Sequence, residues 1–266
     1  MTGYIHLRAS RSGDLLHGRH GWAAVAVARA FARILPGSLL EAAFPYPGRL
    51  GVSGRQMVHR ILAGLRDPVA TYRTLTQMFT QDERRDLYTE DFYAATMAYE
   101  SAETERTRQL MAKSTSGLAG AMRLDAEDWL PNYTLHRLDR LLMAHGIEGR
   151  VPYVDHRVVE YALRLPPRAL VSPLREKLAL RSAAPTAIRR WANRPKQAFT
   201  VPLDDPAFGR AGHQAIGALL DDTIDADRGY FRREKLTAIA AGSTGDLLGS
   251  KRAMALAMLE AWHQVF

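Results

Sequence analysis

Apolar residues recur along this chain at intervals of three and four, and the segments they define read as helices. Trp22 to Leu35 is alanine-rich, is interrupted by Arg29 and Arg33, and stops at Pro36-Gly37. Residues 36 to 55 carry proline and glycine at short intervals and predict a loop. Gln56 to Leu65 returns to helical spacing, and Asp67-Pro68 offers a cap and a first-turn proline for another helix. One or two polar helices are expected over residues 82 to 112. In Asn132 to His145 the leucines at 135, 138, 141 and 142 share a face, and Gly146 sits where a C′ glycine belongs. Val151 to Leu165 contains the next helix, started near Asp155 and ended by Pro166-Pro167. Ser172-Pro173 predicts a helix through Ala183, Pro185 opens a short one, and residues 194 to 206 form a proline-punctuated loop. Helices are expected again around 208 to 220, 231 to 241 and 247 to 264. Only Tyr4 to Leu7 suggests a short strand. With no alternating βαβ pattern and no internal repeat, the fold class is mainly α.

Bulk properties narrow the function classes without choosing one. A length of 266 residues suits one large domain or two small ones. No run of 18 apolar residues occurs, and the first ten residues lack the apolar centre of a signal peptide, so no membrane partner is expected and the predicted location is cytoplasmic. The chain has no cysteine, which excludes a disulfide scaffold and a zinc-thiolate site. Net charge is +8, and arginine far outnumbers lysine. A solvated arginine-rich surface accounts for that charge, and an anionic partner such as a nucleotide or pyrophosphate is the sharper reading. No basic block is interleaved with aromatics, so no nucleic acid partner is expected.

Three strings carry more specific information. Leu130 to His156 reads LPNYTLHRLDRLLMAHGIEGRVPYVDH, which places Asp139, Arg140, Met143 and Ala144 ahead of Glu148, Arg150, Pro152, Tyr153 and Asp155. Glu176 to Pro185 reads EKLALRSAAP, with Lys177, Leu180 and Arg181 at its fixed positions. Asn193 to Leu203 reads NRPKQAFTVPL and contains Lys196. In order and spacing these strings, with the final segment MALAMLEAWHQVF, resemble the carboxy-terminal part of the synthetase domain of glutamine-dependent asparagine synthetase. The resemblance covers roughly residues 60 to 266.

That resemblance implies the helical carboxy-terminal portion of an α/β adenine-nucleotide-hydrolase-like (PP-loop ATPase) domain, with at most a remnant of its sheet. It also implies a reaction. ATP adenylates the aspartate side chain, pyrophosphate leaves, and ammonia displaces AMP. Charge grows on the departing pyrophosphate, so lysines, Mg2+ and backbone N–H groups are its natural stabilisers. Lys177 matches the family lysine that stabilises the acyl-adenylate transition state, as a compact charge able to follow the developing anion. Lys196 is a second phosphate contact on the same resemblance, Glu148 orients a cationic or amine-bearing group, and Arg150 pairs with it beside the substrate. The competing structural reading makes Glu148 and Arg150 an ion pair that holds their loop to neighbouring helices. Asp155 suits a helix N-cap, and Asp139 a pair with an arginine.

The pattern also breaks. The family's pyrophosphate loop, S-G-G-x-D-S, occurs nowhere in the chain. The acidic motif S-G-[DE]-G-x-D-E-x-F-G-G-Y is approached only by Ser12 to His20, where Asp14 survives as a pyrophosphate or metal ligand but Leu15 stands for the next acid. His17 and His20 lack a third metal ligand. Residues 1 to 21 therefore read as a degraded remnant of the nucleotide-binding sheet and acidic loop, and residues 22 to 266 as the helical asparagine-synthetase-like domain. Binding of ATP and Mg2+ by this chain alone is then not expected: it reads as a truncated or decayed gene product, as half of a split enzyme whose protein partner supplies the nucleotide-binding part, or as a protein recruited for binding without catalysis. The alternatives are an amide-forming cyclase of the same superfamily, of the β-lactam or lasso-peptide type, and a helical interaction module without chemistry.

Overall fold

A computed structural model describes residues 5–16, 21–34, 61–62, 64–65, 67–172, 175–194, 206–242 and 247–266. Helices dominate, and among the described residues there is no strand beyond one isolated antiparallel bridge between Tyr88 and Phe231. The mainly α expectation holds. The chain divides into two compact units that interleave along the sequence. One comprises residues 1–30, 60–76 and 104–197, the other residues 31–59, 77–103 and 198–266.

The first unit is built around Leu7, Val69, Met111, Leu118, Met122, Leu124, Leu170 and Val171. Its opening segment corrects the strand expected at Tyr4 to Leu7, because Ile5–Leu16 is an α-helix. His6, Ala9, Ser10 and Gly13 are buried along it, which is helical spacing. Two of those four are polar, so no apolar stripe announced the helix. Pro68–Thr76 forms as expected, with Asp67 Oδ1 accepting from Val69 N at 2.9 Å. From Gly117 the chain stays helical to Met143, as an α-helix (Gly117–Leu124), a π-helix (Asp125–Leu135) and a second α-helix (His136–Met143). The expected start at Asn132 is therefore too late. Pro131 lies inside the wider π winding, which carries the chain past a residue that ends tighter helices. Gly146 takes φ +65°, the left-handed C′ conformation its position suggested.

Downstream, Asp155 caps His156–Arg164 through Arg157 N at 2.9 Å. Pro167–Leu170 follows. The helix expected from Ser172-Pro173 through Ala183 is shorter. Residues 175 to 177 are non-helical, and the helix proper is Leu178–Ser182. Ser172 closes a turn instead, with Arg175 N donating to its hydroxyl at 2.9 Å. A 3-10 turn at Thr186–Ile188 and the helix Arg189–Ala192 complete this region.

In the second unit, Leu87, Leu220, Leu236, Ala253, Leu256 and Ala257 form the core. They bring together Gln81–Leu87, Pro206–Ala226, Arg233–Gly242 and Leu247–Val265. Each fully buried leucine contributes about 2 kcal/mol. Thr80 and Glu83 form a reciprocal capping box at the start of Gln81–Leu87. Glu260 is buried and takes a two-pronged contact from Arg228, Nε to Oε2 at 3.1 Å and Nη2 to Oε1 at 2.8 Å. Glu90–Ala112 is one continuous helix whose residues fall into both units. The loop expected over residues 36 to 55, and most of the helix expected at Gln56 to Leu65, lie outside the described residues.

Candidate functional site

The second sequence string builds the most site-like region of the first unit. Glu176 lies between Arg8, 3.9 Å away, and Arg181, 3.5 Å away. Arg181 sends Nε to the Glu176 carbonyl at 3.0 Å and Nη1 to the carbonyls of Ala192 and Arg194, the latter also at 3.0 Å. A guanidinium has five N–H donors in a rigid fork, and this one ties two separate stretches of backbone into fixed walls.

Lys177 stands between those two residues. Its backbone is left-handed, φ 57° and ψ 36°, at the N-cap of Leu178–Ser182. That conformation costs a residue with a Cβ about 1 kcal/mol. The first helical bond, Arg181 N to Lys177 O at 2.9 Å, and the side-chain ties of Arg181 hold it there. Lys177 is half-buried, and its ammonium has no carboxylate or carbonyl partner among the described residues. It opens onto a cleft of about 340 Å³ whose lining includes Tyr153, Leu180, Ile188, Trp191 and Arg194. Clefts of this size, mostly apolar with a few convergent polar groups, are the usual form of small-molecule sites.

The structure sorts the remaining sequence candidates. Glu148 and Arg150 pair with each other at 3.0 Å, with side chains 71% and 82% exposed, and neither lines the cleft. Their pair does not clamp the loop to a neighbouring helix. Tyr153, from the same string, is the residue that reaches the cleft. Asp155 carries out its capping role. Hydrogen bonds from the Arg157 side chain, then from its backbone, hold the Asp155 carboxyl down at about 2. Asp139 is exposed and pairs with no arginine among the described residues.

Asp14 serves a helix end. Its Oδ1 accepts from Gly117 N at 2.7 Å and its Oδ2 from Leu118 N at 3.1 Å, at the start of Gly117–Leu124. A carboxylate there meets the free N–H groups and positive end of the helix. Gly117 permits the approach, since a Cβ at that position would lie 3.0 Å from Oδ1. No group of three His, Asp or Glu side chains able to hold a metal exists among the described residues. The described residues therefore offer no all-protein metal cage. Lys196, His17 and His20 lie outside the described residues.

One polar cluster escaped the sequence reading. His6 Nε2 lies 3.1 and 3.0 Å from the two oxygens of Asp125, and Tyr72 donates its hydroxyl to Oδ1 at 3.1 Å. Asp125 is only 4% exposed. Burial, followed by the Asp125 charge, pushes the Tyr72 hydroxyl far above its ordinary pKa. No motif signals these positions, since His6 and Asp125 are 119 residues apart.

The asparagine synthase family profile matches residues 26–264, and the chain belongs to that family. It is 28% identical over 61% of its length to a provisionally named asparagine synthetase [glutamine-hydrolyzing] of Mycobacterium tuberculosis (strain ATCC 25618 / H37Rv), covering 25% of that protein. Asparagine synthetase [glutamine-hydrolyzing] 1 of Bacillus subtilis (strain 168) is 25% identical over 81% of the chain and 33% of its own length. The Mesocricetus auratus asparagine synthetase [glutamine-hydrolyzing] is 42% identical over 24% of the chain and 12% of its own. The chain thus spans a quarter to a third of the first two relatives. No solved structure matches it. No described helix is long and apolar enough to cross a membrane.

Proposed function

We propose that this chain supplies the anion-stabilising half of a carboxylate-activating, amide-forming site. The reference reaction is the ATP-dependent amidation of aspartate through an aspartyl-adenylate. A partner brings the nucleotide-binding part. The observation that carries the reading is the half-buried ammonium of Lys177, without a partner among the described residues, held in a left-handed backbone in the lining of a cleft. Strained residues kept in place by surrounding ties cluster at functional sites. As the carboxylate attacks the α-phosphorus, negative charge passes to the departing pyrophosphate. A preplaced ammonium answers that charge without reorganisation. Arg181 positions Lys177 and the cleft wall rather than the reacting atoms. On the sequence reading, Lys196 is a second phosphate contact, and Glu148 and Arg150 join the site only when the substrate or partner gathers their loop toward it. No step is assigned to Mg2+ on these residues.

The partner reading is supported by surface chemistry. Among the described residues from Tyr133 to Trp191, twelve large apolar side chains are exposed, among them Leu141, Met143, Tyr161 and Trp191. We read this exposure as the surface a partner covers. Pyrophosphate release, measured with aspartate, ATP, Mg2+ and ammonia, tests the proposal. The chain is assayed alone and with the product of the adjacent reading frame. Release that appears only in the mixture, and falls with Lys177→Ala, is the expected result. No release in either sample defeats the enzymatic reading, and full activity of Lys177→Ala defeats the site.

A further inference from the structure

We infer that residues 126 to 169 form a docking arm for a polypeptide whose apolar face is bordered by aspartate and glutamate side chains. The inference rests on the reading above that a partner completes the site, and it specifies the surface that partner must carry. From residue 126 to residue 169 no residue is buried, and the helices His136–Met143 and His156–Arg164 have no buried position between them. Yet nine of the twelve exposed apolar side chains lie in this stretch, with Leu141, Tyr153 and Tyr161 at 62%, 69% and 67% exposure. Together they offer on the order of 800 Å² of apolar surface, what one side of a stable protein interface covers. Tyr153 also lines the Lys177 cleft, so a partner seated on the arm reaches the edge of the proposed site.

Charge selects the occupant. The carboxylates of Glu148, Asp155 and Glu160 are taken by Arg150, Arg157 and Arg164 of the same stretch. Arg137, Arg140 and Arg168 are exposed with no carboxylate partner among the described residues, and so are Arg189 and Arg190, which stand between Ile188 and Trp191 of the cleft lining. Against these five arginines stands one unpaired acid of the arm, Asp139. A second copy of the chain would set five more arginines against them, a juxtaposition of like charges that disfavours self-pairing. An anionic lipid surface would meet the arginines but would press the four carboxylates of the arm against its phosphates. A polypeptide can place its carboxylates one by one against the free guanidinium forks and its apolar side chains between them.

Fluorescence anisotropy of the full chain with labelled helical peptides tests this. The first peptide carries a leucine stripe bordered by glutamates, the second has lysine for each glutamate, and the third has serine for each leucine. The leucine–glutamate peptide should bind at least about tenfold tighter than either control. Leu141→Ser and Tyr161→Ser should each weaken it, and both side chains are exposed, so the fold is retained. The double variant Arg140→Glu with Arg168→Glu should lose about tenfold for the glutamate peptide and gain for the lysine peptide, an exchange of preference that a misfolded chain does not show. Absence of binding, equal binding of the glutamate and lysine peptides, or binding that ignores the arm substitutions overturns the inference. So does tighter binding to phosphatidylserine vesicles than to the peptide, or a chain that sediments as a dimer and becomes monomeric with Leu141→Ser. Peptide binding that follows the arm charges, without pyrophosphate release in any mixture, leaves the arm standing while the catalytic reading fails. Release from a mixture that depends on Lys177 and ignores every arm substitution keeps the catalytic reading and removes the arm.

Discussion

Replacing Lys177 with glycine separates a functional lysine from a structural one. The residue sits at φ 57°, where a Cβ crowds the following carbonyl at a cost of about 1–2 kcal/mol. Glycine carries no such penalty but loses about 0.5–1 kcal/mol through its freer unfolded chain. The folded state should therefore gain about 0.5–1 kcal/mol, a rise in Tm of about 1–4 °C for a chain of this size. Lys177→Asn should gain less, and Lys177→Ala should stay near the parent, because alanine keeps the Cβ. In a reconstituted mixture that releases pyrophosphate, glycine and asparagine should each cut the rate by about 100-fold or more, the effect of removing one preorganised charge-stabilising donor. Urea titration and differential scanning fluorimetry read the first quantity, and coupled pyrophosphate detection the second. A glycine variant less stable than the parent by about 1 kcal/mol or more would show that the ammonium holds the fold, and the argument from strain would be wrong.

Other consequences concern the supporting structure. Asp14→Ala should destabilise the chain by about 1–2 kcal/mol in urea, since two N–H groups of Gly117–Leu124 lose their acceptors, and Asp14→Asn by about half that. Neither change should alter the Mg2+ dependence of any activity recovered, and a shifted Mg2+ requirement would restore Asp14 as a metal ligand. The Arg228 hydrogen bonds hold the Glu260 carboxyl below its ordinary 4.5, so the pair's contribution is complete above that pH and is lost as pH falls through the depressed value. Glu260→Gln should therefore be less stable at neutral pH and should converge with the parent in acid, and parallel urea curves from about pH 3 to about pH 7 would contradict this. Gly120→Val should cost about 2 kcal/mol in thermal melts, because a Cβ there already lies 3.1 Å from Met111 Cα and Cβ.

Local chemistry made much of the helical framework legible. Asp67-Pro68, Asp155, Gly146 and Pro166-Pro167 act within a turn of their own positions, and the structure honours each. The capping box at Thr80 and Glu83 was equally local and went unread. The failures share a cause. The helix Ile5–Leu16 buries His6 beside Asp125, a partner far away in sequence, so its buried face does not look apolar. The helix expected from Asn132 starts earlier because the winding around Pro131 is π. Residues 175 to 177 run directly into Leu178–Ser182 without joining it, and the bond from Arg181 Nε to the Glu176 carbonyl ties that non-helical stretch in place.

The sequence by itself determined the family and the helical class, and it singled out Lys177 as a candidate, because motif order and short-range capping are written in adjacent residues. Only the tertiary structure decided how those residues are used. It spent Asp14 on the N-terminus of Gly117–Leu124, left Glu148 and Arg150 paired in solvent, and brought Tyr153 and Trp191 to the Lys177 cleft. A carboxylate's role depends on which N–H groups or cations come within about 3 Å of it. That proximity is set by packing between segments far apart in the chain, and no spacing rule encodes it.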